Sequence, residues 1–224
     1  MPKAAPSQPK TPMQMVEALS SRVTASARSY KMATVRYLMR PPLSLRAKYA
    51  AFLLDFAQQS DLIQDVLGRA GERVSDPQVA SLLLLHQKEE KARIQLVLSD
   101  LRRLGYSDEF PERPMTSGDA ALRAYCTTVS GEHPSAMLGV MLALFGVAAE
   151  VSPTVVRLLS VGSVPKEAMR WLLLRQTEDP KVFQQLLTQT AELVSDPQEQ
   201  AQLLQAVEVT GELLALGAAA RPAA

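Results

Sequence analysis

The sequence predicts an all-α fold, on three observations. Aliphatic residues and alanine dominate, while Phe, Trp and Tyr make up only 5% of the 224 residues, a balance that favours helix over sheet. Long stretches repeat apolar residues every three or four positions, the period of a helix with one buried face. Most glycines and prolines fall between those stretches, where they end one helix and start the next. A chain of this length buries a sizeable core in one domain.

The elements follow in order. The opening MPKAAPSQPKTPMQ is proline-rich and lacks the apolar segment of a secretory signal, so residues 1–12 are expected to form a disordered arm. A helix over 13–39 is stopped by Pro41 and Pro42, whose rings cannot continue it. Residues 43–58 resume as a helix, and 61–72 form a further amphipathic turn and helix. The next helix opens at Ser75, Asp76 and Pro77, a capping side chain followed by proline in the first turn, and ends at Gly105. An irregular segment over 106–117 precedes helices over 118–129, 134–150 and 153–160. A helix carrying Ala168, Trp171, Leu172 and Arg175 then meets Asp179 and Pro180, where a kink or restart is expected. The last helix starts at Ser195, Asp196 and Pro197 and fades into a flexible tail over 217–224. The pentapeptide VSDPQ occurs at both 74–78 and 194–198, and because nothing downstream matches, it reads as capping chemistry used twice.

Charge and cysteine content exclude several functions. With 24 basic and 23 acidic residues the net charge is +1, and no basic stripe of the kind that binds nucleic acid is present. The longest apolar run, 136–149, is shorter than the ~20 residues of a membrane span, so it is expected to be a buried central helix. Cys126 is a lone cysteine, which leaves no internal disulfide and no zinc motif, and a reducing cytoplasm is the default location. No base stands near Cys126 in sequence, so packing outweighs a nucleophile there. His133 before Pro134 is expected at a helix start, in capping or solvent.

The most informative segment is 79–105. Stepping by three and four from Val79 gives Leu83, His86, Glu90, Arg93, Val97, Leu101 and Leu104, one helix face with three ionisable side chains in the middle of its apolar stripe. Charges facing a core destabilise by several kcal/mol unless they are paired or bound. The competing reading rotates the helix and pairs Glu89 with Arg93 at the surface, worth only ~0.3–0.5 kcal/mol.

Four segments, PPLSLRAKYAAFLLDF, HQKEEKARIQLVLSDLRRLGY, ALRAYCTTVSGEHPSAMLGVMLALFG and PKEAMRWLLLRQTEDPKVFQQLL, resemble in order and spacing the heme-oxygenase-like fold. The likeness is to its non-heme diiron oxidase branch, the iron-containing redox enzymes, with thiaminase-like proteins and pyrroloquinoline quinone synthase as wider relatives. It covers roughly 36–216 and implies a single-domain helical bundle over 13–216.

In iron-binding members the first helix supplies Glu and, three residues on, His. The middle helix supplies Glu before a glycine, and the late helix supplies His, then Asp four on, then His three beyond. Here those positions hold Glu90 and Arg93, Phe145 before Gly146, and Arg175, Asp179 and Val182. Only the two carboxylates remain. A guanidinium stays protonated and has no lone pair to give iron, so the resemblance implies a degenerate site without a metal.

The expectation is a buried ion-pair network of Glu90, Arg93, Arg175 and Asp179, with His86 beside it and no cofactor. The protein is then a metal-free binding protein or non-oxidative relative. Its partner is a small anionic ligand gripped by Arg93 and Arg175 in an apolar pocket lined by Met141 and Phe145. The alternative keeps an iron-dependent oxidase or oxygenase that uses His86, Glu90 and Asp179 as metal ligands. A third reading is an inactive scaffold subunit that pairs with an active paralogue; a homodimer is the alternative assembly. Nucleic acid and membrane partners are not expected.

Overall fold

Thr11 starts the first helix, α1 (Pro12–Met39), with a capping box: its hydroxyl accepts from the Gln14 N–H while the Gln14 side chain accepts from the Thr11 N–H. The computed structural model describes residues 9–106 and 115–221, the side chains of residues 59 and 60 excepted. Most of the expected arm and the end of the expected tail therefore lie outside the described residues. The backbone of Lys10, within the expected arm, exchanges two hydrogen bonds with the Gln200 side chain.

Six more helices follow: α2 (Leu45–Arg73), α3 (Pro77–Arg103), α4 (Ser117–Glu132), α5 (Met137–Val161), α6 (Arg170–Leu193) and α7 (Pro197–Ala220). Short 3₁₀ turns lead into α5 and α6, and no strand occurs among the described residues. Both VSDPQ copies are N-caps. Asp76 Oδ1 accepts from Gln78 and Val79, and Asp196 Oδ1 accepts from Gln198 and Glu199. At the end of α3, Gly105 takes φ 88° while Tyr106 N–H returns to the Leu101 carbonyl, a closure that needs a left-handed residue.

Three expected breaks are absent. Helix α2 runs without interruption through 58–61, because Leu53 and Leu54 before the expected break are buried in one hydrophobic cluster and Val66 and Leu67 after it in the other. Helix α5 continues through Pro153, and α6 through Pro180. Each proline removes one backbone hydrogen bond, but buried apolar contacts on both sides hold the helix. For α6 these are Trp171 and Leu172 before the proline and Phe183, Leu186 and Leu187 after it. Asp179 therefore does not cap a new helix, and its carboxylate is left for an ion pair. At the chain's end α7 reaches Ala220 and Arg221 is buried, where the sequence suggested a tail from 217.

Helix α5 is the axis of the bundle and contributes to both hydrophobic clusters. The segments Pro134–Val161 and Pro197–Ala220 are apolar and long enough to cross a membrane by composition. In the first, 78% of the most apolar window is buried inside the protein. Around this axis the closest-packed pairs are α1 with α7, α2 with α3, and α5 with α6.

Candidate functional site

The buried face of α3 carries its charges inward. His86 and Arg93 are 4% and 8% exposed, and the Glu90 side chain is 12% exposed. From α6, Arg175 and Asp179 face them at 8% and 1%. Arg93 Nη1 donates to Glu90 Oε1 at 2.7 Å, and Arg93 Nη2 lies 3.7 Å from Asp179 Oδ1. Arg175 Nε donates to Asp179 Oδ2 at 2.6 Å. The four side chains form one chain of alternating charge, Glu90, Arg93, Asp179, Arg175, with formal charges that cancel.

Burial alone would lower the Arg175 pKa, but the carboxylates of Asp179 and Glu90 outweigh it and the net shift is upward. Arg175 is thus held firmly as a cation. His86 does the opposite: burial lowers its pKa, against the pull of Glu89, whose Oε2 lies 2.9 Å from His86 Nδ1. Glu89 therefore pairs with His86, and Arg93 pairs with Glu90 and Asp179.

Phe145 sits at the centre of this arrangement. The Arg93 guanidinium lies 4.7 Å from its ring centroid and the His86 ring 5.4 Å away. An aromatic face accepts a cation in this way, so the ring supports Arg93.

Behind Phe145 lies a cavity of about 130 Å³, with walls drawn from both hydrophobic clusters. Glu90, Arg175, Met141 and Phe145 line it; His86, Arg93 and Asp179 do not. Of the two arginines expected to grip a ligand, Arg175 reaches the cavity, whereas Arg93 stands outside its wall against Phe145.

The opposite part of the wall was not read from the sequence. Phe52 and Phe56 of α2 contact Trp171 of α6 at 5.8 and 4.6 Å between ring centroids. Arg175 lies 5.1 Å from the Trp171 ring, and Arg221 lies 4.6 Å from the Phe52 ring. An aromatic shelf thus runs along the cavity with a guanidinium at each end. Arg221 Nε is 3.3 Å from Asp55 Oδ2. Among the described residues, four cavity-lining side chains carry buried polar atoms without a hydrogen-bond partner: Thr34 Oγ1, Tyr49 Oη, Trp171 Nε1, and Arg221 Nε and Nη1.

Two further polar residues are structural. Asp100, fully buried, accepts from the Trp171 backbone N–H at 2.8 Å and so anchors the start of α6 from α3. It lies three residues after Val97 on the inward stripe, a signal that stepping by both three and four would have found. Lys48, 2% exposed, donates to the carbonyls of Leu38 and Arg40 at the end of α1. Cys126 is buried, and burial pushes its thiol up to about 12, so it is not a nucleophile at neutral pH.

Among the described residues no group of three or more His, Cys, Asp or Glu is arranged to hold a metal ion. The donor chemistry agrees. His86 Nδ1 faces Glu89, and the Arg93 guanidinium stands between Glu90 and Asp179. A second cation between those carboxylates would meet a fixed positive charge. The set His86, Glu90 and Asp179 does not fit iron.

No protein-family model matches the chain, and no curated protein matches it in sequence. A solved structure does match: the crystal structure of a domain of unknown function with a heme oxygenase-like fold from Shewanella denitrificans OS217. The TM-score is 0.75 at 18% identity, over 88% of this chain and 87% of that one. The protein has a heme-oxygenase-like, all-α fold.

Proposed function

We propose that this is a metal-free binding protein for a small molecule with an apolar body and one anionic group, held in the central cavity. The observation that carries the reading is the wall of that cavity. It is mostly aliphatic and aromatic, yet four of the residues that line it, Thr34, Tyr49, Trp171 and Arg221, carry buried polar atoms with no hydrogen-bond partner among the described residues. A buried polar atom left unpaired costs roughly 1–3 kcal/mol, so four such residues around one space favour an occupant that supplies their partners.

Size narrows the occupant. A dry cavity on the order of 150 Å³ accepts benzene, so about 130 Å³ suits one aromatic ring or a short aliphatic chain. Two cations, Arg175 and Arg221, line the space together with two acids, Glu90 and Asp119, so an anionic group is favoured where a guanidinium stands clear of the acids.

Calorimetric titration with phenylacetate, hexanoate and the corresponding amides tests this. The carboxylates are expected to bind more tightly than the amides, and Ala148→Leu, which fills the cavity from α5, is expected to abolish binding while leaving the fold intact. A wild-type protein that binds neither carboxylate overturns the reading.

A further inference from the structure

We propose that Arg221, at the end of α7, is the residue that binds the anionic group of the cavity's ligand, and that Arg175 is not. The inference rests on the small-molecule reading above and assigns the polar anchor within it.

The two arginines that line the cavity differ in what they have left to give. Arg175 belongs to a network of two cations and two anions, its Nε committed to Asp179 at 2.6 Å and Glu90 also close enough to raise its pKa. An incoming carboxylate there meets Glu90 on the same wall and an acid, Asp179, just behind it. Arg221 is as deeply buried, at 8% exposure, but it has one ion-pair neighbour, Asp55, and neither Nε nor Nη1 has a hydrogen-bond partner among the described residues. A guanidinium has five N–H donors and a planar fork that matches a carboxylate.

The surroundings of Arg221 fit the rest of the ligand. Its guanidinium lies 4.6 Å from the Phe52 ring centroid and 5.8 Å from that of Tyr37, so the cation is held against the aromatic shelf. Thr34, one turn before Tyr37 on α1, and Tyr49, one turn before Phe52 on α2, carry two of the unpaired hydroxyls. A ligand with its acid at Arg221 would lay its apolar body along Phe52, Phe56 and Trp171.

Arg221 also faces outward. It lines both the cavity and a surface groove between α1 and α7 that contains the exposed Arg36 and Arg40. The anion-binding side chain therefore stands in the wall between solvent and cavity, beside two surface cations that attract a negative ligand.

The test is titration of wild type, Arg221→Gln, Arg221→Lys and the charge-neutral double variant Asp55→Asn/Arg221→Gln with phenylacetate and phenylacetamide. The double variant keeps the fold assessable, because it leaves no acid without its partner. The expected result is a loss of phenylacetate affinity of about tenfold to a hundredfold in both Gln variants, with phenylacetamide affinity little changed and partial recovery in Arg221→Lys. Unchanged phenylacetate affinity in both folded Gln variants overturns the assignment of Arg221 alone. Absence of phenylacetate binding in wild type overturns the small-molecule reading and this assignment with it.

Discussion

Arg175 Nε and Asp179 Oδ2, one helical turn apart on α6, meet at 2.6 Å at a point where Asp179 is 1% exposed. On its other oxygen Asp179 faces Arg93 from α3, so one carboxylate pairs with a guanidinium of its own helix and ties α6 to α3 through a second. Removing one partner leaves an uncompensated charge in the core. Arg93→Ala is expected to destabilise the protein by roughly 3–5 kcal/mol, read as a fall in the urea midpoint. A midpoint equal to wild type would show that the pair is not bearing buried charge.

Removing the whole network should have a different effect. Glu90→Leu, Arg93→Met, Arg175→Met and Asp179→Leu together eliminate both the attraction and the desolvation of four charges. Replacing a buried ionic group with apolar residues of like volume is neutral or stabilising by about 1–4 kcal/mol. The quadruple variant is expected to melt at or above the wild-type temperature, and below it if the network is a net source of stability.

His86 sets a pH dependence. Burial holds its folded-state pKa below the ordinary histidine value of 6.5, in spite of the hydrogen bond to Glu89. Below that unfolded value the unfolded chain takes up a proton first. The neutral histidine's contribution is therefore complete above about pH 6.5 and is lost as pH falls toward and through the lowered folded value. The urea midpoint should drop between about pH 7.5 and about pH 5, and His86→Leu should lessen the drop. An identical pH profile in the variant would assign the dependence to other groups.

The helical class, the helix starts at Asp76 and Asp196, and the inward turn of Glu90 and Arg93 were legible because each depends on local spacing. Capping needs a side chain within three residues, and a buried face shows as a 3.6-residue period. Pro180 misled because its local effect is outweighed by Trp171, Leu172, Phe183 and Leu187 packing on both sides of it, which is tertiary information. Arg221 was invisible for the same reason. In GAAARPAA nothing local marks the arginine, and its partners Asp55 and Phe52 are far away in sequence.

The same stretch contains a close helix crossing. A Cβ on Gly118 would collide with the Gly217 backbone of α7, and one on Gly217 would lie 2.8 Å from Asp119 Oδ1. Gly118→Ala is expected to push α4 from α7 and lower the melting temperature by several degrees, on the order of 1–3 kcal/mol. Retained stability would mean that the two helices part at little cost.

Cys126 offers a check on the core. Its thiol, fully buried with its pKa pushed up to about 12, should resist iodoacetamide at mildly alkaline pH in the native protein and react once urea unfolds it. Rapid native alkylation would show that α4 opens locally.

If Arg93 and Arg175 occupy the ligand positions that the resemblance to diiron oxidases implies, the site holds no iron, and metal content is the direct test. Wild type and Glu90→Ala would be loaded anaerobically with ferrous iron, freed of excess and submitted to elemental analysis. Neither protein is expected to retain iron. Retention of about one or two irons per chain by wild type, lost in Glu90→Ala, would contradict this and restore a metal centre at Glu90.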